Sequence, residues 1–86
     1  MKIVFSEQAW EDYQYWLVTD KKLLKRINLL IRDALRDPFQ GLGKPEPLRH
    51  HLKGYWSRRI NDEHRMVYKM SGDALSIAQL RYHYGE

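Results

Sequence analysis

The sequence predicts a single α+β domain of order β-α-α-β-β-β, with two N-terminal helices packed on one face of a mainly antiparallel sheet. Three observations carry that expectation. Apolar residues recur at three- and four-residue spacing in the first half of the chain. Short strand-like runs with tight connections fill the second half. At 86 residues the chain has room for one domain, 1–86, with one core.

Taken in order, Met1-Lys2-Ile3-Val4-Phe5 reads as a short, mostly apolar strand. Ser6 is placed to cap a helix whose first turn holds Glu7, where negative charge favours the helix N-terminus. In that helix Trp10, Tyr13 and Leu17 fall on one side, with Glu11, Asp12 and Gln14 on the other. Asp20 is a second N-cap candidate. It opens a longer helix with a stripe of Leu23, Leu24, Ile27, Leu30, Ile31, Ala34 and Leu35. Asp37-Pro38 ends it, because a residue before proline disfavours the helical region. Pro38 to Pro47 reads as a loop. Three strand-like runs follow: Tyr55 to Ile60, Arg65 to Met70 and Ala74 to Arg81. They are joined through Asn61–His64 and Ser71-Gly72-Asp73.

Composition narrows the function. The chain lacks Cys, which excludes disulfides and thiolate metal sites and suits a reducing cytoplasm. Met1 to Trp10 has no long apolar run after a basic start, so no secretory leader is expected, and no apolar segment approaches a membrane span. His50, His51, His64 and His83 have no zinc-motif spacing, so neither metal nor cofactor is expected. The net charge of +4 is unevenly spread: residues 1–20 carry one Lys against four acids, residues 21–86 fourteen Lys and Arg against seven. A basic C-terminal two-thirds suits a polyanion or an acidic protein.

That basic part contains the residue types that metal-free RNA cleavage needs. A base must take the proton of the ribose 2′-hydroxyl, an acid must supply one to the leaving 5′-oxygen, and cations must stabilise the phosphate between them. Glu46 is a carboxylate held between Pro45 and Pro47, and His83 sits in the terminal run Arg81-Tyr82-His83-Tyr84. Arg59 and Arg65 fall on neighbouring strands of an expected hairpin, with Tyr55, Ser57 and Arg59 sharing one face and Arg65, Val67 and Lys69 another stretch of face. Each residue alone has a plainer reading: a solvated loop Glu, solvent-facing arginines, a packed terminal His. Trp10, Tyr13 and Trp16 read as core or partner-facing residues, and Trp56 as core. Gly41-Leu42-Gly43-Lys44 lacks the spacing of a phosphate-binding loop.

Together the motifs are more specific. Gly43-Lys44-Pro45-Glu46-Pro47-Leu48, then Leu52, Gly54, Trp56-Ser57-Arg58-Arg59-Ile60, Glu63-His64-Arg65, Val67-Tyr68 and Arg81-Tyr82-His83-Tyr84 resemble the YoeB toxins. These are RelE-like members of bacterial toxin–antitoxin pairs, and the likeness runs along essentially the whole chain. It implies a RelE-like fold and ribosome-dependent cleavage of mRNA in the A site, with ribosomal RNA contacts. It also implies inhibition by a YefM-type antitoxin, and a second copy of the chain is carried as a further partner. Residue by residue, Glu46 falls on the family's general base, His83 on its general acid, Arg65 on the phosphate-stabilising arginine and Tyr84 on the terminal aromatic that positions substrate. Arg59 matches a second cation of the site. Arg49 stands where the family carries Lys, and it joins Lys53 as an expected RNA-phosphate contact. Glu63 and His64 are expected only in supporting roles. Gly85-Glu86 extends past the position where relatives often end.

Two other classes are open to this sequence. One is a toxin of the same fold that inhibits DNA gyrase by binding. The other is a non-catalytic RNA or ribosome-binding module. A gyrase inhibitor has no use for Glu46, His83, Tyr84 and two arginines in these positions, and alanine at Glu46 separates a binder from an enzyme.

Overall fold

A computed structural model describes residues 1–82 of the chain. The elements run β1 (Lys2–Phe5), α1 (Glu7–Thr19), α2 (Lys21–Arg36), β2 (Glu46–Pro47), a single 3-10 turn (His50–Leu52), β3 (Trp56–Arg59), β4 (Arg65–Ser71) and β5 (Ala74–Gln79). The sheet has the order β1-β5-β4-β3-β2. Its pairings are antiparallel except for β1, which lies parallel to β5 with Ile3 opposite Leu75. The expected α+β architecture is present, with one strand more than the sequence indicated. Glu46-Pro47, inside the stretch read as loop, pairs with Trp56-Ser57, and Leu48 extends the pairing by donating to the Tyr55 carbonyl at 2.9 Å. Two residues carry no alternation to read, and proline is tolerated there because an edge strand can spare one backbone donor.

Both helix caps act as their sequence suggests. The Ser6 hydroxyl accepts from the Ala9 amide, and the Asp20 carboxylate accepts from the amides of Lys22 and Leu23. α2 buries Ile27, Leu30, Ile31 and Ala34 and half-buries Leu23, Leu24 and Leu35, so the expected stripe is its core face. These chains pack with Ala9 and Trp16 of α1 against Ile60, Met66, Tyr68, Leu75, Ile77 and Leu80. Each fully buried aliphatic chain contributes about 1.5–3 kcal/mol by leaving water.

The face expected for α1 needs correcting. Its buried residues are Ala9, Asp12 and Trp16, whereas Leu17 is exposed and Trp10 is 55% exposed, stacked on Tyr13 and meeting Phe5 edge-on. Asp12, read as lying on the polar side, is only 2% exposed. The cause is the chain beyond β5. Leu80 has left the sheet ladder, so its amide and carbonyl need new partners in the core. The Asp12 carboxylate accepts from that amide at 2.9 Å, and the Trp16 indole donates to that carbonyl at 2.9 Å. Gln8 donates to the other Asp12 oxygen. α1 is thus turned toward a polar need that hydrophobic periodicity does not register.

Candidate functional site

The site begins with a buried arginine that faces away from it. Arg58 is 0% exposed and turned toward α2. Its Nε donates to the Tyr68 hydroxyl at 2.9 Å, and its Nη1 donates to Asp33 Oδ2 at 2.7 Å and to the Leu42 carbonyl at 3.2 Å. Its Nη2 donates to the carbonyls of Asp37 and Gln40. Asp33 also accepts from the Leu42 amide and from Arg36 Nε. These donors, the Leu42 amide foremost and then Arg36 and Arg58, hold the Asp33 carboxyl far below the usual carboxylate range. A buried guanidinium needs such saturation of its donors. Here it gathers the 37–42 backbone around one point, and that backbone leads directly into β2.

Gly43 completes the approach. Its φ is +79°, and a Cβ there would lie 2.9 Å from Leu30 Cδ2, 3.0 Å from the Arg59 carbonyl oxygen and 3.1 Å from Arg58 Cβ. The Gly43 carbonyl accepts from the Arg59 amide at 2.7 Å. Only glycine lets the loop lie this close to β3 with that backbone. Glu46 is therefore delivered to the sheet edge by a clamped segment.

Sheet register assigns the faces. Glu46 lies opposite Ser57, Ser57 opposite Val67, and Arg59 opposite Arg65. Directly paired residues point to one face, and residues two apart along a strand share it. Trp56, Arg58, Met66 and Tyr68 point toward the helices. Glu46, Ser57, Arg59, Arg65, Val67 and Lys69 occupy the opposite face, where Lys69 Nζ sits 4.8 Å over the Tyr55 ring. From strand spacing and rise, the Cα atoms of Glu46 and Arg65 are about 12 Å apart, within the combined reach of their side chains and a phosphate between them. Glu46 and Arg59 are exposed on this face. Arg49 and Lys53 are exposed at the ends of the 3-10 turn that joins β2 to β3. Of the seven expected site residues, Glu46, Arg59 and Arg65 are thus brought to one face, and Arg49 and Lys53 flank the turn at the end of the β2–β3 hairpin. His83 and Tyr84 lie outside the described residues.

Arg65 differs from the other cations in being only 8% exposed. Its Nη1 donates to the carbonyls of Asn61 at 2.6 Å, Asp62 at 3.3 Å and His64 at 3.1 Å. One edge of the guanidinium is locked by the β3–β4 turn, and among the described residues no acceptor engages Nε or Nη2. A fixed plane with donors to spare is suited to a phosphate oxygen. The turn is itself braced, because the Asn61 carboxamide accepts from the amides of Glu63 and His64. His64 is buried against the Trp16 ring.

Arg58, Asp33, Asp12 and His64 are the residues whose importance sequence reasoning missed or underrated. The detectable signal for Arg58 was alternation: if Arg59 shares a face with Ser57, its neighbour must point at the helices. Among the described residues no group of three or more His, Cys, Asp or Glu is placed to hold a metal ion, and no helix is long and apolar enough to cross a membrane.

Similarity to known proteins places this two-helix α+β domain among small bacterial toxins. Residues 5–84 match the profile of the YoeB-like toxins of bacterial type II toxin–antitoxin systems, and the chain belongs to this family. It is 58% identical over 84 residues to toxin YoeB of Escherichia coli K12, covering 98% of this chain and 100% of that one. The structure is similar to that of a YoeB/ParE toxin from Agrobacterium tumefaciens, with a TM-score of 0.94, 52% identity and coverage of 98% and 100%. Two Staphylococcus aureus structures, a YoeB dimer and a YoeB–YefM complex, match with TM-scores of 0.91 and 0.90 and identities of 48% and 47%, each covering 98% of both chains.

Proposed function

We propose that this toxin is an endoribonuclease that cuts mRNA in the ribosomal A site without a metal. The observation that supports this reading is the shared sheet face that holds Glu46, Arg59 and Arg65, with Arg49 and Lys53 exposed at the end of the same hairpin. In this reading the Glu46 carboxylate takes the proton of the 2′-hydroxyl, and the 2′-oxygen attacks phosphorus. The bond from phosphorus to the 5′-oxygen breaks. His83 protonates that leaving oxygen, and the products are a 2′,3′-cyclic phosphate and a 5′-hydroxyl. Arg65 meets the charge gathering on the phosphate, with its plane held by the turn carbonyls, and Arg59 adds a second cation. Tyr84 positions the substrate, and Arg49 and Lys53 bind flanking phosphates.

The reading places the protein in the cytoplasm, with the programmed ribosome and an antitoxin as partners. Because the Staphylococcus aureus relative forms a complex with YefM, a YefM-type antitoxin is the inhibitor proposed here. An acidic segment laid over the basic face would bind with an affinity that falls as salt rises. A second copy of the chain is a further partner, as in the dimer of that relative. The test is to map mRNA 5′ ends on translating ribosomes with and without the protein. New ends at A-site codons, carrying 5′-hydroxyls, are expected. An unchanged set of ends with growth still arrested would leave the binding-only alternatives, including gyrase inhibition.

A further inference from the structure

The chain leaves β5 at Gln79 and turns sharply, so that Tyr82 lies in the left-handed backbone region with φ 60°. A tyrosine adopts that conformation only where its surroundings impose it. Two contacts hold it there, one from His64 in the β3–β4 turn and one from Arg65 at the start of β4. The Tyr82 amide donates to His64 Nδ1 at 2.7 Å, and the Tyr82 carbonyl accepts from the Arg65 amide at 3.2 Å. The imidazole that receives the amide is 6% exposed and packed between two aromatic rings, and its backbone is tied to the turn. Trp16 meets it edge-to-face at 4.8 Å, the Tyr82 ring lies at 5.4 Å, and the Asn61 side chain accepts from the His64 amide at 2.7 Å.

We infer that His64 is a positioning residue of the proposed ribonuclease: its Nδ1 fixes the Tyr82 peptide, the point from which the chain continues into His83 and Tyr84. The inference rests on the reading of His83 as the acid, which a neighbouring peptide turned by a few tens of degrees would misplace. It also gives the neighbours His64 and Arg65 a shared task. His64 holds the amide of Tyr82, the backbone of Arg65 holds its carbonyl, and the side chain of Arg65 faces the phosphate. The same turn thus holds the Tyr82 peptide and the Arg65 guanidinium.

The contact requires Nδ1 to be unprotonated, which places the ring proton on Nε2, 3.6 Å from Glu63 Oε1. The groups around the ring oppose one another. Burial lowers the imidazole pKa most; Glu63 from the turn raises it, Arg81 from the C-terminal chain lowers it, Asp12 from α1 raises it and Arg65 from β4 lowers it. The net direction is downward, so the acceptor form persists at neutral pH. Protonation in acid would turn Nδ1 into a donor facing the Tyr82 amide, and the contact would break.

The experiment compares wild type, His64→Asn, which keeps an acceptor but does not titrate, and His64→Leu, which keeps bulk without an acceptor. Two readouts are taken: hydrogen exchange of the Tyr82 amide, and single-turnover cutting of mRNA on saturating programmed ribosomes. The Leu variant should lose Tyr82 protection and cut at least about tenfold more slowly with KM unchanged, since a displacement near 1 Å is worth up to about a hundredfold. The Asn variant should restore most of both. In wild type, Tyr82 protection should fall with the same midpoint as His64 protonation, followed by NMR, a comparison that needs no variant. Tyr82 protection that is equal in the Leu variant, or indifferent to His64 protonation in wild type, overturns the inference. A wild-type protein that protects Tyr82 through His64 but never cuts RNA would instead overturn the ribonuclease reading.

Discussion

Arg58 and Arg59 are adjacent, chemically identical and opposite in use. Arg58 is enclosed by five acceptors of the core and loop, whereas Arg59 stands on the outer face beside the proposed site. Strand alternation made the division readable, but which arginine would meet the helices depended on register, and nothing in the sequence marked Asp33 as the partner. Arg58→Met leaves the carbonyls of Asp37, Gln40 and Leu42 without this donor, at about 1–3 kcal/mol for each acceptor left buried and unpaired, so it should lower stability by about 3–5 kcal/mol and the melting temperature by about 15 °C or more. Arg59→Met should leave the melt near wild type and slow cutting instead; equal melts for the two variants would contradict the division. Asp33 sets an acid limit. Its folded pKa is depressed, so its contribution is complete above the ordinary carboxylate range and is lost as pH falls below it. His64 has the same sign in a higher window, contributing fully above about pH 6.5 and less below. Acid melts of Asp33→Asn should therefore be flatter than wild type below about pH 4 and parallel to it between pH 5 and 7. At the proposed site, Glu46→Ala and His83→Ala should each slow single-turnover cutting by about 10²–10⁴-fold, with Lys22→Ala on the exposed face of α2 as control. Arg65→Ala removes a brace of the turn as well as a phosphate contact. Arg65→Lys, which keeps charge but not the fork, is the cleaner variant, and it should fold while still losing most activity.

Among the elements, the two helices were readable because caps and apolar stripes are local properties. α2 follows its stripe completely. α1 does not, since its orientation is decided by Leu80, nearly seventy residues away, whose amide and carbonyl draw Asp12 and Trp16 inward. β2 was unreadable for a different reason: its two residues pair only because the loop before them is tied to Arg58 and approaches β3 through Gly43. That dependence is testable. Gly43→Ala puts a methyl against Leu30 and the Arg59 carbonyl in an unfavourable backbone region, and should lower stability by about 1–3 kcal/mol. Urea unfolding should show a reduced midpoint with unchanged slope. Cutting on ribosomes should fall further than for an equally destabilising change in the core of α2, such as Ile31→Val, because only the former shifts β2 and Glu46. Equal activity in the two would mean that the loop clamp does not position the site.

For the whole molecule, residues 44–69 carry seven Lys and Arg against three acids, a count that overstates the face, since Arg58 belongs to the core. What remains is six cations against three acids, in a fold whose sheet is covered by helices on one side only. A face of that charge binds RNA mainly without sequence preference, and salt erodes the binding. It cannot by itself bend a flexible message so that the 2′-oxygen lies in line with the leaving 5′-oxygen. A ribosome that holds the message bent beforehand can supply that order, and alignment of reacting groups is worth up to about 7–11 kcal/mol in favourable cases. Even a few kcal/mol of that would separate the two rates by a hundredfold or more. The most direct measurement is the single-turnover cutting rate of one message, free and bound to ribosomes with an open A site, at equal protein and physiological salt. The account predicts cutting at least about a hundredfold faster on the ribosome, with a 2′,3′-cyclic phosphate at the new end. Equal rates, or a 3′-hydroxyl product, would contradict it.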